Sequence, residues 1–102
     1  MTDIRVQFLA FDGCPLAGAA REALDAAMAE LGLAGYEEID ILDPATANDL
    51  RGWGSPTILV NGVDVTGSAK GGGAGCRIYA TASRVPETSL IVERIRQAQP
   101  NP

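Results

Sequence analysis

Residues 57–65 read TILVNGVDV, and this stretch decides the class of fold. A run of β-prone residues is followed by Asn61-Gly62, a dipeptide strongly preferred in two-residue hairpin turns, and then by a second β-prone run. The stretch therefore predicts a β-hairpin. Because a hairpin supplies antiparallel pairing, a sheet that joins it to parallel strands is mixed.

The chain before the hairpin predicts strands that alternate with helices. Residues 4–11 are nearly all apolar and favour a strand covered on both faces. Apolar residues then recur at helical spacing over residues 15–31, and Gly32 follows as a stop signal. A second strand is predicted within residues 35–42. Together these segments make a β-α-β unit.

Two further helices complete the predicted order. A short helix is expected over about residues 44–51 with Asp43 as its N-cap, and a last helix is expected to begin near Pro86. The order β-α-β-α-β-β-α predicts one α/β domain over residues 1–102, with a mixed four-stranded sheet flanked by helices.

Composition and charge exclude several classes of function. The chain has 102 residues, 46% of them hydrophobic, and a net charge of −5, which argues against a nucleic-acid partner or an anionic membrane. Its first residues match neither a signal peptide nor a membrane span, so a cytoplasmic location is expected. With no histidine and two cysteines, the chain lacks the residues for a catalytic triad or a single-chain four-cysteine zinc site. No metal site or bound cofactor is predicted.

The stretch FDGCPLAG at residues 11–18 carries the first candidate for chemistry, Cys14. The predicted elements place Cys14 between the first strand and the first long helix, as the N-cap of that helix. The unpaired N–H groups and the positive end of the helix dipole favour a thiolate there. Pro15 is tolerated as the first helical residue. The alternative is that Cys14 is a small buried hydrophobic residue.

The stretch GSPTILVNG at residues 54–62 is the second candidate. Pro56 directly precedes a strand, which biases Ser55 toward an extended conformation and raises the question of a cis peptide bond. With Cys14-Pro15 after the first strand and Ser55-Pro56-Thr57 before a hairpin, the chain resembles the thioredoxin and glutaredoxin superfamily. The segments GCP, GSPT, LVNG and CRIY are similar, more narrowly, to short thioredoxin-fold proteins of the alkylmercury lyase-like group.

The resemblance implies a thioredoxin-like fold, a redox-active Cys14 and a cis-proline at Pro56. By match with the family, Ser55 and Pro56 would contact the backbone of a bound peptide or of glutathione, and Pro15 is included among the candidate substrate contacts. Two interpretations of Arg77 are open. It either stabilises a thiolate or a glutathione carboxylate, or it is a solvated surface charge.

The chain departs from the family at Ala17, where a dithiol oxidoreductase has its second cysteine. Family topology would bring the loop over residues 66–76 near Cys14, which makes Cys76 a candidate resolving thiol. A buried structural role for Cys76 is the alternative. The glycine-rich run at residues 70–75 has three possible interpretations: a flexible lid, a glutathione contact or a plain loop.

Two hypotheses of function follow from the sequence. In the first, the chain is a thiol-based redox protein in which Cys14 attacks a disulfide, a glutathionylated thiol or a soft metal species, and Cys76 releases the adduct. Glutathione would then serve as a co-substrate rather than a bound cofactor. In the second, the chain is a non-catalytic thioredoxin-like adaptor that binds an extended peptide. Whether the chain is an enzyme stays open at this point.

Overall fold

The computed structural model describes residues 4–67, 77, 79, 81 and 84–98. Within them the strands and helices alternate in the predicted order. In chain order they are β1 (Val6–Ala10), α1 (Ala17–Leu31), β2 (Glu37–Asp40), α2 (Asn48–Arg51), β3 (Thr57–Val60), β4 (Val63–Asp64) and α3 (Thr88–Ala98).

The strands form one four-stranded sheet in the spatial order β2-β1-β3-β4. Strand β2 runs parallel to β1, whereas β3 runs antiparallel to both β1 and β4. The prediction of a mixed four-stranded sheet in an α/β domain is confirmed. Strand β1 is therefore an interior strand, and its carboxyl end lies between the end of β2 and the beginning of β3.

Both faces of the sheet are covered. Successive residues of a strand point to opposite faces, so the buried residues of one strand contribute to two core clusters. Phe8 and Ile58 belong to the larger core cluster, which includes the buried residues of α1 and α3. Leu9 and Leu59 belong to a smaller cluster on the other face, together with Ile41. This two-sided burial explains why β1 and β3 are nearly continuous apolar runs.

The hairpin turn has the conformation that its sequence predicts. Asn61 and Gly62 have φ values of +52° and +82°, the positive pair that two-residue hairpin turns of the primed type require. Asn61 also fixes the neighbouring chain, since its side-chain oxygen accepts a hydrogen bond from the Arg5 N–H and its own N–H donates to the Arg5 carbonyl.

Helix α1 begins later than the sequence predicts, and the assignment of Cys14 as its N-cap is wrong. The N-cap is Leu16, and the first i to i+4 bond runs from the Ala20 N–H to the Leu16 carbonyl. Cys14 instead closes one turn, donating to the Phe11 carbonyl, and opens another, accepting from the Ala17 N–H. Because these two consecutive turns occupy residues 11–17, α1 begins only at Ala17.

The far end of α1 agrees with the prediction, whereas the beginning of α2 does not. Gly32 ends α1 in a left-handed conformation, with φ +68°. Asp43 was expected to cap a helix, but its side chain accepts a hydrogen bond from the Ala45 N–H and closes a local turn. Helix α2 starts five residues later, at Asn48.

No helix among the described segments combines the length and the hydropathy needed to cross a bilayer.

Candidate functional site

Cys14 lies just beyond the carboxyl end of β1, in the two turns that lead into α1. Gly13, with φ +89°, takes the left-handed position of the first turn, where glycine is favoured. Pro15 follows in the second turn and is exposed. Cys14 itself is 8% exposed and is a free cysteine. Cys14 is therefore largely shielded from the surface.

The loop before β3 contacts the Cys14 turns directly. The hydroxyl oxygen of Ser55, which is fully buried, accepts a 3.3 Å hydrogen bond from the Phe11 N–H. In the sheet, Leu9 is the register partner of Thr57, so the end of β1 and the beginning of β3 meet. The Ser55–Pro56 peptide bond is cis. The structure brings together Cys14, Ser55 and Pro56 at one end of the sheet.

Arg77 reaches the same loop from a distant part of the chain. Its backbone N–H donates a 2.6 Å hydrogen bond to the Ser55 carbonyl oxygen, and its guanidinium donates at 2.8 Å to the Thr57 hydroxyl. Tyr79 adds a second attachment, because its buried hydroxyl donates at 2.7 Å to the Pro56 carbonyl oxygen. Both carbonyl groups of the Ser55–Pro56 pair thus accept hydrogen bonds from this chain's own residues.

An ion pair with a buried carboxylate holds Arg77 in place. The guanidinium lies 3.3 Å from Asp64 Oδ2, and the Asp64 side chain is completely buried. The same guanidinium lies 4.5 Å from the centre of the Tyr79 ring. Arg77 is thus anchored by structural partners, whereas the sequence offered a thiolate partner or a solvated charge.

The surroundings of Tyr79 change its ionisation. Burial, followed by the negative charge of Asp64, raises the pKa of the Tyr79 hydroxyl to about 12. The phenol is therefore neutral over the whole physiological range and acts as a hydrogen-bond donor to Pro56. Neither Tyr79 nor Asp64 was among the candidate site residues from the sequence.

A groove opens beside Cys14 on the side away from Ser55. We call it the α1–β2 groove; it is lined by residues 12–14, by Ala17 and Arg21 of α1, and by residues 38–40 of β2, among others. Its volume is about 450 Å³. Cys14 therefore borders a surface depression large enough for a small organic molecule.

Among the described residues that line the groove, Arg21 is the one cation, and it is already engaged. Arg21 lies 2.8 Å from Glu38 Oε1 and 5.2 Å from the centre of the Phe8 ring. Asp12 and Asp40 add two exposed carboxylates. The feature that could have revealed the groove is the pairing of β2 with β1, which places Glu38 opposite Phe8.

Trp53 is half-buried and packs on the smaller core cluster rather than lining the groove. Cys76 and the glycine run at residues 70–75 lie outside the described residues. In the part of the chain that the structure describes, no three His, Cys, Asp or Glu side chains are grouped to hold a metal ion.

A scan of the chain against protein-family models found no match, and searches of curated proteins and of solved structures found none either. The fold and site geometry accordingly define the class of protein only as an α/β domain with a mixed four-stranded sheet.

Proposed function

We propose that this chain is a cytoplasmic thiol-based redox protein of thioredoxin-like fold, with Cys14 as its nucleophile. The observation that carries the proposal is the hydrogen bond from the Phe11 N–H to the Ser55 hydroxyl, which joins the Cys14 turns to the Ser55–Pro56 loop. This juxtaposition is the one that the resemblance to the thioredoxin and glutaredoxin superfamily implies. The sheet order and the strand directions are compatible with that resemblance.

The proposed reaction is thiol–disulfide exchange. The Cys14 thiolate attacks one sulfur of a substrate disulfide, the substrate S–S bond breaks, and the departing sulfur leaves with the electron pair as a thiolate. Cys76 then attacks Cys14 in the mixed disulfide and releases the second substrate thiol. The substrate gains two electrons, the two cysteines lose two, and a thiol such as glutathione returns them to the reduced state.

Cys76 takes the resolving role in this proposal because Ala17 occupies the position of the usual second thiol. Cys76 directly precedes Arg77 in the chain, and the Arg77 N–H contacts Ser55. The same two thiolates suit linear coordination of a soft metal ion such as mercury, which is the variant that the alkylmercury lyase-like resemblance favours.

Ser55 and Pro56 have a limited role as substrate contacts in this proposal. The Ser55 carbonyl oxygen already accepts one hydrogen bond, from the Arg77 N–H, so a substrate backbone that pairs with this oxygen has to share it with Arg77. Pro15, exposed beside Cys14, stays a proposed contact.

The test is a redox titration of the native protein in glutathione buffers, followed by peptide mapping of the cysteines without reduction. We expect a reversible Cys14–Cys76 disulfide at intermediate potentials in the wild type. The Cys76→Ser variant should accumulate a Cys14–glutathione adduct, and the Cys14→Ser variant should show neither product. Two free thiols at every potential would contradict the proposal.

A non-catalytic adaptor is the second candidate function, and the 8% exposure of Cys14 favours it. Alkylation distinguishes the two candidates. Rapid reaction of Cys14 with iodoacetamide at mildly acidic pH supports the redox protein, whereas a rate below that of the unfolded chain supports the adaptor.

A further inference from the structure

The two sides of the Cys14 turns differ in access. On the β3 side, the Ser55 and Pro56 carbonyl groups already accept hydrogen bonds from Arg77 and Tyr79. On the β2 side lies the α1–β2 groove, and Cys14 lines it. Because β1 separates β2 from β3 in the sheet, these two approaches are on opposite sides of the strand that leads to Cys14.

The groove matches a small ligand in size and surface. A volume of about 450 Å³ lies within the range of small-molecule sites. Phe11 and Ile39 supply apolar lining, and both are half-buried. The groove therefore offers a short aliphatic substituent a surface to pack on beside Cys14, which lines the same depression.

The charge of the groove selects among such molecules. Among the described residues of the lining, Asp12, Glu38 and Asp40 provide three carboxylates against the Arg21 guanidinium, which gives these four residues a formal net charge of −2. Arg21 is held by Glu38 and Phe8, so an anionic ligand has to compete with those contacts. A ligand with ammonium groups meets the exposed Asp12 carboxylate and the exposed Asp40 carboxylate, whose Oδ1 also accepts a hydrogen bond from the Leu42 N–H.

We propose that the substrate of Cys14 is a small aliphatic disulfide that carries ammonium groups and enters through the α1–β2 groove. This inference rests on the proposed function and specifies its substrate class. It also predicts that glutathione disulfide, whose carboxylates give it a net negative charge, reacts with Cys14 more slowly than such a cationic disulfide does. In the reaction, the Cys14 thiolate displaces an aminothiolate from the disulfide and forms a Cys14–aminothiol mixed disulfide; the aminothiolate takes a proton from water.

The experiment compares three disulfides of similar size with the wild-type chain. They are cystamine, a dication; bis(2-hydroxyethyl) disulfide, which is neutral; and 3,3′-dithiodipropionate, a dianion. The loss of the free Cys14 thiol is followed by peptide mapping under excess disulfide, so that adducts and any disulfide with Cys76 are both counted. Each rate is divided by the rate of the same disulfide with 2-mercaptoethanol, which removes intrinsic differences in reactivity.

We expect the normalised rate to follow the charge of the disulfide. Cystamine should exceed the neutral disulfide about tenfold at ~10 mM ionic strength and about twofold at ~0.5 M, because salt screens exposed charges. The dianion should react more slowly than the neutral disulfide. Equal normalised rates, or a preference for the dianion, would overturn the inference while leaving the proposed function intact.

Charge variants locate the preference in the groove. Asp40→Asn and Glu38→Gln each remove one carboxylate from the lining, and each should reduce the preference for cystamine about twofold. Glu30→Gln is the matched control, since Glu30 is an exposed residue near the other end of α1. An equal effect of Glu30→Gln would contradict the groove as the entrance. Failure of Cys14 to react with any of the three disulfides would contradict the proposed function and this inference together.

Discussion

The backbone nitrogen of Arg77 lies 2.6 Å from the Ser55 carbonyl oxygen and donates a hydrogen bond to it. This contact ties a segment that follows β4 to the loop that precedes β3. The Arg77 side chain reinforces the contact through its ion pair with the buried Asp64. The geometry of the candidate site therefore depends on the contact between Arg77 and Ser55, which lies to one side of Cys14.

Arg77→Met should destabilise the chain by about 3 kcal/mol, because the buried Asp64 carboxylate loses a cationic partner. Urea unfolding followed by circular dichroism measures the change. Arg96→Met is the matched control: Arg96 and its partner Glu30 are both exposed and 4.0 Å apart, so a change within about 0.5 kcal/mol is expected. Equal effects of the two substitutions would show that the Asp64 pair does not stabilise the fold.

Ser55→Ala should lower the free energy of unfolding by about 1–2 kcal/mol, because the Phe11 N–H loses its acceptor in a partly buried position. The amide hydrogen of Phe11 should also exchange faster with solvent, and NMR measures that rate directly. Ser89→Ala, on the exposed side of α3, should change neither quantity appreciably. Unchanged protection of the Phe11 amide in Ser55→Ala would argue against coupling between the two loops.

Alkaline pH should destabilise the fold through Tyr79. Its pKa in the folded chain is about 12, above the ordinary value of 10.0, so the folded state favours the neutral phenol. The resulting stabilisation is fully present below pH 10 and is lost as the pH rises through 12. Urea unfolding across this window should show a smaller decline for Tyr79→Phe than for the wild type.

Tyr36 provides the control for that titration. Its pKa is also raised to about 12, first by burial and then by its hydrogen bond to Asp25, but the hydroxyl is far more exposed. Tyr36→Phe should therefore change the alkaline decline in stability less than Tyr79→Phe does. The opposite ranking would contradict the burial of Tyr79 as the cause.

The same glycine-to-alanine change should have opposite effects at the two ends of α1. Gly32 has φ +68°, so Gly32→Ala should destabilise the chain by about 1 kcal/mol. Gly18 is helical and exposed, and a Cβ there meets no atom within 4 Å. Gly18→Ala should stabilise the chain by about 0.5 kcal/mol. Thermal unfolding distinguishes the two, and a shift in the same direction for both would be contrary to this assignment.

The order of the elements could be predicted from the sequence because its signals are local. The Asn61-Gly62 turn and the Gly32 stop depend on backbone conformations that few residues adopt, and both were predicted correctly. Helix starts are less certain because turns compete for the same residues. Asp43 caps a turn instead of α2, and two turns around Cys14 postpone α1.

The site was predicted only in part, because its remaining contacts join residues that are remote in sequence. Cys14, Ser55 and Pro56 could be named as candidates from the sequence, and the structure places their two loops at the same end of the sheet. The Asp64–Arg77 pair and the Arg21–Glu38 pair follow from the positions of whole elements. No short motif encodes either pair. The resolving role of Cys76 stays a prediction.

The interior position of β1 has a consequence for synthesis on the ribosome. Of the four strands of this sheet, Val6–Ala10 emerges first, yet its antiparallel partner β3 is more than 40 residues behind it in the chain. Until Thr57–Val60 appears, the nascent chain has one edge of an apolar strand unpaired, and such an edge readily pairs with other chains. Val6–Ala10 is therefore the segment that a co-translational chaperone would have to protect.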